Sequence, residues 1–202
     1  MRNMAWSNLS KTNLKELRIL AGFIKAHPYF NPLPGDYWPG TCEDEAYVAV
    51  ADVGANILWA WAYPVFRRIR FDQVAIVIHG AGGAGAAVRI GIYESKDKYP
   101  TRLIMDFGEF PADTTGLKTK DIDLTLDPGL YFLALVANDD TIDLRQARPE
   151  RSGPLYRVSD VNFGWWGYRI EYPYGPLPDP FPEGASLYNR MWKVMLRVAE
   201  IL

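Results

Sequence analysis

The chain has 202 residues, 14% of them aromatic and 23% charged, with a formal net charge of −2 and a pI near 5.7. That balance gives no long-range pull toward nucleic acid. The lone Cys42 excludes an internal disulfide, and no run approaches the roughly 18 apolar residues of a membrane span. The length suits a single core-bearing domain, and about 70% of the unfolded surface is buried by area scaling.

The opening Met-Arg-Asn-Met-Ala-Trp-Ser-Asn lacks the apolar centre of a signal peptide, which predicts synthesis in the cytoplasm. Asn13 and Glu16 have capping-box spacing, and Leu14, Leu17, Leu20, Ala21 and Ile24 recur at helical intervals until His27-Pro28. A helix over 14–26 with one apolar stripe is expected. From Pro28 to Gly40, four prolines and two glycines forbid regular structure, while Tyr29, Phe30, Tyr37 and Trp38 forbid a free linker. An ordered strap reconciles the two. Residues 1–44 thus read as a docking segment, with Leu14, Leu17, Leu20, Ile24, Tyr29, Phe30, Tyr37 and Trp38 as its contact residues, and 45–202 as the main domain.

Strands are expected from Tyr47 onward. In Ile57–Tyr63 the large Ile57, Trp59, Trp61 and Tyr63 share one face, and Leu58, Ala60 and Ala62 share the other, until Pro64 interrupts. Gln73–His79, Val88–Tyr93, Arg102–Phe107, Asp121–Leu126 and Leu130–Ala137 follow, the last delivered by a Pro128-Gly129 turn. Asp139–Gly153 reads as a long exposed loop, Phe163–Tyr172 as an aromatic strand, and Trp192–Val198 as the closing strand. Between them Pro173–Gly184, with five prolines and two glycines, is a second strap. Nine or ten short strands with Pro and Gly punctuation describe an all-β antiparallel sandwich.

Chemical motifs are sparse. Gly80-Ala-Gly-Gly-Ala-Gly85 matches the dinucleotide fingerprint in letters, but a strand pattern follows where a helix N-terminus is needed. Two histidines and one cysteine make a poor zinc set. Asp121, Asp123, Asp139, Asp140 and Asp143 cluster without the calcium-loop pattern. No catalytic residue, metal or cofactor is assigned. The cluster Trp165-Trp166-Gly-Tyr168, with Tyr172 and Tyr174, has three readings: core packing beneath a strap, subunit contact, or glycan stacking.

Tyr63-Pro64-Val-Phe-Arg-Arg-Ile-Arg-Phe, Ala87-Val-Arg-Ile-Gly-Ile-Tyr93, Tyr99-Pro100, Leu103-Ile-Met-Asp-Phe-Gly108, Leu126-Asp-Pro-Gly-Leu-Tyr-Phe-Leu-Ala and Gly175-Pro-Leu-Pro-Asp-Pro-Phe-Pro occur in this order. Together they resemble the jelly-roll domain of tailed-phage tail-fibre and minor tail proteins, over about 57–198. Phe132 stands where that family typically has Trp, and residues before 45 fall outside the pattern. The resemblance implies a non-enzymatic virion protein made in the host cytoplasm, homo-oligomeric with a trimer favoured. Its partners would be other virion proteins, with a host-surface glycan in an attachment role served by exposed aromatics and loops such as 80–86 and 139–153. Capsid decoration, a glycan-degrading enzyme and a cellular carbohydrate-binding module are the alternatives.

Overall fold

The computed structural model describes residues 32–38, 49–147, 167–188 and 190–202. The expected helix over 14–26, with Leu14, Leu17, Leu20 and Ile24, lies outside the described residues, as do Tyr29, Phe30, Cys42, Trp165 and Trp166. The described residues are all-β, in two antiparallel sheets.

The first sheet holds β3 (Ile57–Val65), β5 (Ala87–Lys96), β6 (Tyr99–Pro111), β8 (Gly129–Ala137), β10 (Gly167–Glu171) and β11 (Ser186–Tyr188), ordered β11-β10-β3-β8-β5-β6. The second holds β1 (Tyr37–Trp38), β2 (Ala49–Asp52), β4 (Ile69–Gly80), β7 (Gly116–Leu126), β9 (Asp143–Ala147), β12 (Met191–Trp192) and β13 (Val194–Ile201). In that sheet β4 is the spine. One edge pairs with β7 along its length, while the other is shared, β13 taking Ile69 to Ile76 and β9 taking over at Ile78.

Side-chain alternation explains why the sheets stack. Trp59, Trp61, Tyr63 and Val65 from β3, Val88, Ile90 and Ile92 from β5, and Leu133 and Leu135 from β8 meet Ile69, Phe71, Val74, Ile76, Ile78, Leu124, Leu126, Val194, Leu196 and Val198 from the other sheet in one buried cluster. Each fully buried large side chain contributes on the order of 1.5–3 kcal/mol. Trp59 and Trp192 join the layers edge to face at 5.6 Å.

Several boundaries differ from expectation. Pro64 does not interrupt β3; it pairs with Leu130, and the chain changes sheet at 66–68 instead. The stretch after Asp139 is not all exposed loop, because Ile142 and Leu144 are buried and β9 pairs with β2, β4 and β12. β5 and β6 are joined through Asp97 and Lys98, both at positive φ (52° and 66°), the geometry of a two-residue type I′ hairpin.

Tyr37 and Trp38, expected as docking residues, pair with Arg197 and Leu196 of β13. Trp38 is 4% exposed; its ring packs on Phe66 and its carbonyl accepts a bond from the Tyr63 hydroxyl at 3.0 Å. It fills the sandwich's own core. Trp38→Ala should therefore lower stability by about 3–5 kcal/mol in urea unfolding; an unchanged midpoint would deny it that role.

Candidate interaction surface

The two sheets present very different outer faces. On the first, Leu58, Ala60, Ala62, Tyr93, Phe132, Ala134 and Val136 form a second buried cluster with Leu177 and Phe181, which come from the proline-rich strap 172–185. Small residues make a shelf on which the strap lies flat. Gly91 is the clearest case: a Cβ there would meet the Leu177 side chain and stand 2.8 Å from the Met105 carbonyl oxygen.

Five proline rings leave the strap poor in N–H donors, so the sheet supplies phenols to its carbonyls. The Tyr93 hydroxyl donates to Pro178 O at 2.8 Å and the Tyr99 hydroxyl to Pro182 O at 2.6 Å. In return Leu177 N donates to Asp106, which also holds Arg89 at 2.8 Å, and the Asp179 carboxylate accepts Leu103 N at 3.0 Å. Burial pushes the Tyr93 and Tyr99 phenols above their ordinary values, which keeps both as donors.

Three expected contact residues are drawn into this layer. Tyr168 stacks edge-on to Tyr99 at 4.7 Å and donates to Lys98 O at 2.9 Å. Tyr172 and Tyr174 are half-buried against the same cluster, their backbone N–H groups bonded to Asn56 O and Oδ1 at 2.9 Å each. Burial, with Glu109 next in weight, pushes the Tyr174 phenol up as well. The structure brings these tyrosines together as the seat of a strap.

The opposite outer face is polar. Asp72 and Arg197 form a two-bond pair at 2.8 and 3.0 Å, the Tyr37 hydroxyl donates to Gln73, and Gln73 donates to Asp121 at 3.0 Å. The Arg197 hydrogen bonds hold the Asp72 carboxyl below its usual value of 3.8. A depressed carboxyl stabilises the fold above its unfolded value, and that support is lost as pH falls through the folded value. The stability difference between the protein and Asp72→Asn should thus shrink between pH 7 and pH 3 in urea unfolding; a constant gap would contradict this.

At one end of the sandwich the glycine run at 80–86 leads from β4 into β5, with no helix to receive a pyrophosphate. It is stitched to the turn after β8 and to the end of β6. Gly83 N donates to Asp139 Oδ2 at 2.9 Å, Ala87 N donates to Asn138 Oδ1 at 2.7 Å, and Gly82 N donates to Ala112 O at 2.9 Å. Asp139 also accepts Thr141 N and Oγ1, bonds that lower its pKa, so its carboxylate is a turn brace. Among the described residues no group of three or more His, Cys, Asp or Glu is placed to hold a metal. The His79 Nε2 is buried without a hydrogen-bond partner among them, and burial lowers its pKa.

A different margin is chemically open. Along β10, Tyr168 and Ile170 face the strap, while Arg169 lies directly opposite Trp59 and shares its core-facing side. The Arg169 guanidinium sits 4.3 Å above the Tyr188 ring and 5.9 Å from that of Trp59. Arg190 approaches Tyr188 at 5.8 Å and Trp192 at 6.0 Å. Next to Arg169 is a groove of about 260 Å³ lined by Ile57, Ile170, Glu171, Gly184 and Ser186. Sequence reading missed these residues. Their signal is a charged pair, Arg169 and Glu171, on alternate positions that register places beside a core tryptophan.

No family model and no curated protein matches this chain. Among the described residues no helix is long and apolar enough to cross a membrane. Gly91→Ala should loosen the strap by crowding Leu177 and the Met105 carbonyl, seen as faster limited proteolysis within 172–185; cleavage at the parent rate would refute the shelf.

Proposed function

We propose that this chain is a non-enzymatic structural protein of a virion, a sandwich of the jelly-roll kind displayed on a tail and attached through its N-terminal segment. The observation carrying the reading is how the described polar side chains are spent. Asp72, Glu94, Asp106, Asp139 and Asp179 each hold another part of the same fold through an arginine or a backbone N–H. Such internal ties suit a rigid display module. The resemblance over 57–198 supplies the virion setting, and the favoured assembly is a trimer.

Docking is assigned to Leu14, Leu17, Leu20, Ile24, Tyr29 and Phe30, with Tyr37, 38% exposed, at the border. Trp38 is withdrawn from that set because its ring is committed to the core. Attachment to a tail is preferred to capsid decoration because the open Arg169–Tyr188 margin offers a surface for a ligand beyond the docking contact.

Co-purification of tagged protein with particles on a density gradient tests this. The full chain should travel with tails, and a form lacking residues 1–33, which spares β1, should not. Light scattering should give about 69 kDa, three chains of 22.9 kDa. Full-length protein absent from particles overturns the virion reading, association with tail-less heads favours decoration, and incorporation of the shortened form overturns N-terminal docking.

A further inference from the structure

Resting on that display reading, we infer that the β10–β11 margin binds an acidic saccharide, its carboxylate held by Arg169 and Arg190 and its hydroxyls by Glu171 and Ser186. The guanidinium groups there lack an internal carboxylate. Among the described residues neither guanidinium pairs with a carboxylate, and Arg190 makes only one long bond, 3.5 Å, to the Asp52 carbonyl. The Trp192 indole N–H, on a residue 2% exposed, is buried with no partner among the described residues. Arg197 and Arg102, by contrast, are each paired, with Asp72 and with Glu94.

Stacking fixes what the site prefers. The Arg169 guanidinium, its carbon 4.3 Å from the Tyr188 ring centre, is held by the ring and pairs with no carboxylate among the described residues, which leaves its N–H fork for a planar carboxylate. The same contact covers that face of the phenol ring, so recognition here runs through charge and hydrogen bonds, without a sugar stacking on that face.

The neighbouring groove decides between classes of acid. It brings Glu171 and Ser186 together with Ile57, immediately beside Arg169. An acidic peptide would bring like charge to Glu171. A saccharide instead offers hydroxyls that donate to Glu171 and a C–H patch that rests on Ile57. At about 260 Å³ the groove is smaller than the roughly 300–1,000 Å³ of drug-sized sites, which suits one ring of a chain running along the surface.

Titrating the full-length protein with uronate and sialyl oligosaccharides, a neutral oligosaccharide of matched length and a polyglutamate peptide tests this by calorimetry and tryptophan fluorescence, Trp59 and Trp192 being the reporters. An acidic oligosaccharide should saturate the site. Arg169→Ala should weaken it about tenfold, as expected for a charged hydrogen bond, and Arg169→Lys should recover only part of the loss. Circular dichroism matching the parent keeps either variant interpretable; should Arg169→Ala misfold, Arg190→Ala and Glu171→Gln take its place. Equal binding of the neutral sugar, preference for polyglutamate, indifference to Arg169, or no binding of any acidic sugar would each overturn the inference. If Arg169→Ala still enters particles while sugar binding fails in the parent, this inference falls and the display reading stands.

Discussion

The structure depends on an uneven division of bulk across one sheet. β3 sends Trp59, Trp61 and Tyr63 inward and leaves Leu58, Ala60 and Ala62 outside. Gly91 and Ala134 extend the same shallow relief onto β5 and β8. Large rings inside hold two sheets together, and small groups outside admit a third layer of chain. Reversing the division at β3 alone would open the core and lift the strap in one step, because a strand's two faces are set by a period of two.

That division also accounts for what could be read from residues alone. Alternation in β3 and unbroken apolarity in β4 and β8 showed the strands and which sides matter, and the density of prolines showed a strap at 173–184. Short edge elements were invisible. β1 and β11 have two and three residues, too few for periodicity to register. β9 hid in a polar stretch because only Ile142, Leu144 and Gln146 turn inward. Pro64 was misread because its missing N–H suggests a strand end, yet β3 carries it within one residue of its own terminus, where the chain is about to leave the sheet.

The surface was less legible than the fold. Tyr168, Tyr172 and Tyr174 stand out in sequence as aromatics near prolines, and that is also the signature of a strap seat. Arg169, Tyr188 and Arg190 look ordinary one by one. They become notable only when register sets Arg169 against Trp59 and brings β11 alongside β10. Pairing information of that kind is long-range, from 57–65 to 167–188, and no local pattern encodes it.

The strap layer has one more consequence. A segment with five prolines, whose amides at 172, 174, 177, 181 and 185 are bonded inward and whose oxygens at 178 and 182 already receive phenols, offers a passing extended chain little to zip onto. Crowded copies of the module can touch on this flank without fusing into continuous ribbons.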